Sequence, residues 1–183
     1  YLSTGRIPER IGNRYESTYP YDSFKTKTTD VIIGAGNDKL SYLLCDLMER
    51  PELKTDPRFV HVVDRVANHK EMKEEIEKWS VNYTMDEIAE MLNQRGIPGC
   101  PINTIDRLVA DPHICGDRNM FPYCEHPEMG HLRMTNSALR FTNHPTDPTV
   151  PAPLLGQHNE EIYQGVLGMS AEELAELQAK GII

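Results

Sequence analysis

An α+β fold follows from three features of the sequence: a series of capped amphipathic helices, a β-branched run at Val31 to Ile33 entering Gly34 and Gly36, and a later stretch of alternating apolar residues around Leu132 and Phe141. The expected organisation is a linker over residues 1–25 and a helix-rich small domain with a short sheet over 26–111. A strand-containing C-terminal segment with terminal helices then fills 112–183.

Leu40, Leu43, Leu44, Leu47 and Met48 share one stripe behind Asp38, whose carboxylate suits an N-cap, and Arg50 with Pro51 closes that helix. Asn68 and Glu71 form a capping-box pattern ahead of Met72, Ile76 and Trp79. Thr84 and Glu87 repeat it before Met85, Ile88 and Leu92, with Gly96 and Pro98 as the stop. A short helix is expected from Thr104 to Val109, closed by Asp111 and Pro112, and Ser170 with Glu173 caps the last one through Leu174 and Leu177 to Gly181. Leu132, Met134, Leu139 and Phe141 are expected to form a strand pair turning at Thr135 to Ser137. Pro145, Pro148, Pro151 and Pro153 then make an extended crossing.

A net charge of −9 without a basic stripe disfavours nucleic acid and anionic membrane surfaces as partners. No apolar run approaches the roughly 18–20 residues of a membrane span, and a cytoplasmic setting is expected. Cys45, Cys100, Cys115 and Cys124 are spaced for neither a disulfide framework nor a CxxC site, and buried, inert thiols are expected at Cys45 and Cys100. Zinc around Cys124, His126, His131 and Cys115 matches no standard spacing, so no metal is expected. His61, His69, His113 and His144 read as surface or satisfied-core residues, and Trp79 as core. The chain opens on Tyr1 without an initiator methionine, and an upstream portion is expected.

A succession of motifs carries a resemblance. Arg10 to Asn13 (R-I-G-N), Pro20, Tyr21 and Phe24 precede Val31 to Asp38 (V-I-I-G-A-G-N-D), and Arg50 to Leu53 (R-P-E-L), Asp56 to Phe59 (D-P-R-F), Arg65 and Asn68 follow. Gly96 to Pro101 (G-I-P-G-C-P), Asp111 to His113 (D-P-H), His126 with Pro127, and Pro153 to Glu161 (P-L-L-G-Q-H-N-E-E) complete the order. In this order they resemble the second half of family III CoA-transferases, from about Arg10 to Ile183. Where the family often has Asp-Gly before its strand, this chain has Thr28, Thr29 and Asp30, which implies a different turn.

The resemblance implies an enzyme that moves CoA between an acyl-CoA thioester and a carboxylic acid acceptor, with coenzyme A as substrate and product. In the family an N-terminal Rossmann-like half holds most CoA contacts and a nucleophilic aspartate, whose carboxylate attacks the thioester to give a mixed anhydride. Two full subunits interlock, so homo-oligomerisation is expected, with apolar surface exposed around Tyr15, Tyr19, Tyr21 and the crossing from Pro145 to Leu155. No aspartate of this chain matches the nucleophile: Asp22, Asp30, Asp38 and Asp56 read as turn and cap residues, so no catalytic residue is assigned.

Gly34, Gly36 and Asn37, at a strand end before a helix, together with Asn13 in the linker, are the candidate residues lining a CoA site. The alternative for the glycine turn is a plain turn with an N-cap, and for the segment from Gly12 to Thr18 a plain surface linker. Racemases of the same superfamily have a glutamate near Asn37; an amide takes up no proton at neutral pH, which favours transfer over racemisation. A racemase or isomerase fragment and a non-catalytic binding or scaffold module are the competing readings.

Overall fold

The structure, a computed structural model, describes residues 1–144 and 150–183, so Pro145 and Pro148 of the expected crossing lie outside the described residues. The chain divides into two compact units, Tyr1–Asn103 and Thr104–Ile183.

The first unit is built on an antiparallel sheet in the order β1 (Tyr21–Lys25), β2 (Asp30–Gly34), β3 (Gly99–Pro101), with Tyr21 opposite Gly34 and Ile32 opposite Cys100. β1 takes in the last five residues of the expected linker. Its free edge is satisfied by side chains rather than by another strand. The Lys25 amide donates to Glu77 at 3.2 Å, the Lys25 carbonyl accepts from Ser80 at 2.6 Å, and the Ser23 carbonyl accepts from Lys73 at 2.7 Å.

Four helices cover this sheet: α1 (Asp38–Leu47), α2 (Val62–Ala67), α3 (His69–Ser80) and α4 (Met85–Gln94). Leu44 and Cys45 of α1, Met72 and Ile76 of α3, and Ile88 and Leu92 of α4 meet Phe24, Val31 and Ile33 of the strands in one core. α3 and α4 offer these residues at four-residue spacing, and Leu44 and Cys45 of α1 follow buried Ser41 by three and four residues, so each of these helices buries a single face. Trp79 packs against the same core while remaining partly exposed. Gly99 lets β3 approach, because a Cβ there would lie 2.8 Å from the Ile32 carbonyl oxygen and 2.4 Å from a Leu92 methyl.

Several capping expectations change. Asn37, not Asp38, caps α1: its side-chain oxygen accepts from the Leu40 amide at 2.9 Å, and Asp38 is the first helical residue. Asn68 makes no side-chain cap, because its amide is turned back to the carbonyls of Asp64, at 2.9 Å, and Arg58. Those bonds close α2, a helix of six residues too short to show a stripe in the sequence. The capping boxes of Thr84 with Glu87 and Ser170 with Glu173 form as expected. Cys100 is exposed on β3, contrary to the burial expected of it, because it lies on a three-residue strand at the edge of the sheet whose residues are largely exposed. Cys45 is buried, and desolvation pushes its thiol up to about 11.

The second unit holds α5 (Ile105–Ala110), a wide π-type turn at Pro112–Asp117, a hairpin of β4 (Tyr123–His126) and β5 (Gly130–Arg133), a second π-type segment at Glu160–Val166, and α6 (Ala171–Ala179). The expected pairing of Leu132 and Met134 with Leu139 and Phe141 is not formed. β5 pairs with β4 instead, Cys124 standing opposite Leu132. The turn that decides this lies earlier, where the His126 ring nitrogen accepts from the amides of Glu128 and Met129 and Gly130 takes a positive φ of 70°. Cys124 and Leu174 are the only buried apolar side chains among the described residues of this unit, while Val150, Leu155 and Val166 are exposed.

Candidate active site

The turn from Gly34 to Asp38 joins β2 to α1 and is fixed from three sides. The Gly34 amide donates to the Pro98 carbonyl at 2.7 Å. The Gly36 carbonyl accepts the Thr18 hydroxyl at 2.8 Å, and Gly36 itself is required, since a Cβ there would sit 2.4 Å from Thr18 Oγ1. The third hold is Arg65, on α2.

Arg65 is completely buried, and its five N–H groups make five hydrogen bonds. Nε donates to the Tyr19 carbonyl at 2.8 Å, Nη1 to the carbonyls of Phe59 and Val60 at 2.9 and 3.1 Å, and Nη2 to the Gly36 carbonyl at 3.4 Å and to Asp38 Oδ1 at 2.8 Å. One guanidinium therefore ties the glycine turn to the segment before β1 and to the loop before α2. With every donor used, it has none left for a ligand. Its hydrogen bond, with help from His61, holds the Asp38 carboxyl below the usual carboxylate range.

Of the candidate lining residues, Gly34 and Gly36 are buried in the turn and Asn37 is exposed with its side-chain oxygen engaged as the cap. Asn13 is exposed and donates to Ser23 Oγ at 3.1 Å, while the Tyr15 amide donates to the Tyr21 carbonyl at 2.9 Å. The segment before β1 thus folds back along the strand whose Tyr21 faces Gly34, bringing Asn13 to the same hairpin as the turn. Tyr15 and Tyr21 are exposed as expected, with ring centroids 5.6 Å apart. Tyr19 is buried instead, because its ring packs against Phe24 and the edge of His69.

The aspartates near the turn are engaged structurally. Asp22 accepts from the Ser23 amide at 2.7 Å and pairs with Lys73 at 2.9 Å, Asp38 pairs with Arg65, and Asp56 pairs with Arg58. Among the described residues no group of three His, Cys, Asp or Glu side chains converges as a metal site. In the second unit the His131 ring stacks on Tyr123 at 4.2 Å and pairs with Glu125, so it does not turn toward Cys124.

Thr18 and the central place of Arg65 are the parts that sequence reasoning missed. Arg65 carried two signals, its place in the ordered motif series and a charge within a short apolar stretch between Val63 and Val66, and neither showed what it binds.

A sheet whose strand enters a glycine turn at a helix start, held by a buried arginine, places this chain among α+β proteins with a built turn at the strand end. The comparisons narrow the class. The sequence profile of CoA-transferase family III matches residues 1–159, and the chain belongs to that family. It is 34% identical to succinyl-CoA–D-citramalate CoA-transferase of Chloroflexus aurantiacus over all of this chain and 46% of the relative. It is 27% identical to human succinyl-CoA:glutarate CoA-transferase, again over all of this chain and 42% of the relative. It is also similar to the crystal structure of a CAIB/BAIF family protein from Brucella suis, with a TM-score of 0.72 at 29% identity over 88% of this chain and 41% of that one. The chain spans less than half the length of these relatives.

Proposed function

We propose that this chain forms one part of a CoA-transferase that moves CoA between an acyl-CoA thioester and a carboxylic acid, with the nucleophilic aspartate delivered by a Rossmann-like N-terminal half. The family match over residues 1–159 carries the proposal. Two features of the structure support the division of labour. Asp22, Asp38 and Asp56 are committed to ion pairs, and among its described residues the second unit buries only the apolar side chains of Cys124 and Leu174 while Val150, Leu155 and Val166 stand exposed, as a face meant to be covered would.

In the proposed reaction a carboxylate oxygen attacks the thioester carbonyl, the C–S bond breaks, and CoA leaves as its thiolate from a mixed anhydride. CoA is then passed to the acceptor acid. Gly34, Gly36, Asn37 and Asn13 are the residues of this chain proposed to line that site, with the turn held in place by Arg65 and Thr18. The reaction uses coenzyme A as substrate and product and calls for no metal. Interlocked homodimers in the cytoplasm are proposed as its working form; among the described residues no helix is long and apolar enough to cross a membrane.

The test is CoA transfer from succinyl-CoA to a panel of carboxylic acids, run with this chain alone, with a matching N-terminal half alone, and with both. Transfer is expected only with both present. Turnover by this chain alone at enzyme-like rates, conventionally about 1–1000 per second, would show that it holds its own nucleophile.

A further inference from the structure

α1 ends in a strained turn. The Glu49 amide donates to the Asp46 carbonyl at 3.1 Å and the Arg50 amide to the Cys45 carbonyl at 2.9 Å, the paired bonds that close a helix through one left-handed residue. That residue is Glu49, at a φ of 58°. Glycine adopts this backbone freely, whereas a Cβ crowds the following carbonyl oxygen. α4 ends through the same pair of bonds, from Gly96 to Asn93 at 3.0 Å and from Ile97 to Leu92 at 2.9 Å, and it has Gly96 at the equivalent position with a φ of 66°. Nothing in the turn itself calls for a glutamate, and strain of this kind points to a use for the side chain.

The Glu49 side chain lines a cavity of about 310 Å³ at the ends of α1, α3 and α4, within the size range of small-molecule sites. Leu47, Met48 and Met91, with the rings of Trp79 and Tyr83 5.7 Å apart, give it apolar walls. Arg95, the residue that closes α4, lines the same cavity. Glu49 and Arg95 are both exposed, and among the described residues neither side chain has a partner, the other included. Two opposite charges standing apart beside one apolar hollow are satisfied together by a molecule that carries both. The cavity is at the opposite end of α1 from the glycine turn, about 15 Å away by the rise of a ten-residue helix.

We propose that this cavity is a binding site for a free α-amino acid with an apolar side chain, the ammonium held by Glu49, the carboxylate by Arg95 and the side chain against Trp79. The site is separate from the CoA-transfer reading and stands without it. Each charge of the ligand gains a charge-assisted hydrogen bond, while its apolar group displaces water from the indole and the two methionines.

Trp79 is the only tryptophan of the chain, so its emission reports occupancy. L-Phenylalanine and L-leucine, titrated into this chain, are expected to change that emission saturably with a Kd below about 1 mM. 3-Phenylpropanoate lacks the ammonium and 2-phenylethylamine lacks the carboxylate, and each is expected to bind at least about tenfold more weakly than L-phenylalanine. The same loss is expected for L-phenylalanine with Glu49→Gly and with Arg95→Met. Glu49→Gly is also expected to keep or raise the urea midpoint, because glycine relieves the left-handed position. Failure of both amino acids to saturate by about 10 mM overturns the proposal. So does equal affinity for the two truncated analogues and L-phenylalanine, or undiminished binding by Glu49→Gly. A lowered midpoint in Glu49→Gly would make the glutamate a structural residue and overturn it as well.

Discussion

Replacing Arg65 by Met keeps an apolar stem in the same volume and removes five donors carried by a fully buried side chain. The consequences differ among the acceptors. The Val60 carbonyl retains the Tyr42 hydroxyl and the Gly36 carbonyl retains Thr18, so these two keep a partner. Asp38 is 41% exposed and rehydrates, so its loss of the guanidinium costs little. The carbonyls of Tyr19 and Phe59 lose the guanidinium, and at about 1–3 kcal/mol for each buried acceptor left without a partner the expected loss is about 4 kcal/mol. Urea unfolding followed by the fluorescence of Trp79 reads this change, because that residue packs on the core of the same unit. With a slope of about 2 kcal/mol per M, the midpoint falls by about 2 M. A loss under about 1 kcal/mol at unchanged slope would refute the keystone role of Arg65.

Gly36→Ala is expected to destabilise the first unit by about 1–3 kcal/mol, since its Cβ would lie 2.4 Å from Thr18 Oγ1 and 3.0 Å from Thr18 Cγ2. Combining it with Thr18→Ala should cost less than the sum of the two single changes, a coupling that a double-mutant cycle in urea measures. Thiol titration with a disulfide reagent is expected to label exposed Cys100 in the folded chain, and buried Cys45, with its thiol pushed up to about 11, only after denaturant is added. Rapid labelling of Cys45 in the native state would contradict its burial.

Local chemistry was legible in the sequence and distant chemistry was not. Thr84 with Glu87 and Ser170 with Glu173 form the boxes that their spacing announces, because a cap involves only residues within one turn. Asn68 has the same spacing to Glu71, yet its side chain serves the loop at Arg58 and the end of α2, a choice fixed by tertiary placement. β1 was hidden in the linker because the partners that satisfy its edge, Lys73, Glu77 and Ser80, are some fifty residues away in sequence. The hairpin of β4 and β5 was placed too late because Leu132 pairs backward with Cys124, across a turn signalled mainly by Gly130. At the candidate site the glycines of the turn could be named from their motif. Their clamp could not, since Arg65 gathers acceptors at Tyr19, Gly36, Asp38, Phe59 and Val60.

The division of labour between this chain and an N-terminal half can be examined by trapping the acyl-enzyme. Both parts are incubated with succinyl-CoA, the anhydride is intercepted with hydroxylamine or borohydride, and each polypeptide is mapped by peptide mass spectrometry. The modified carboxylate is expected on the N-terminal half, with the aspartate peptides of this chain unmodified. A trapped aspartate in a peptide of this chain would show that the attacking group resides here after all.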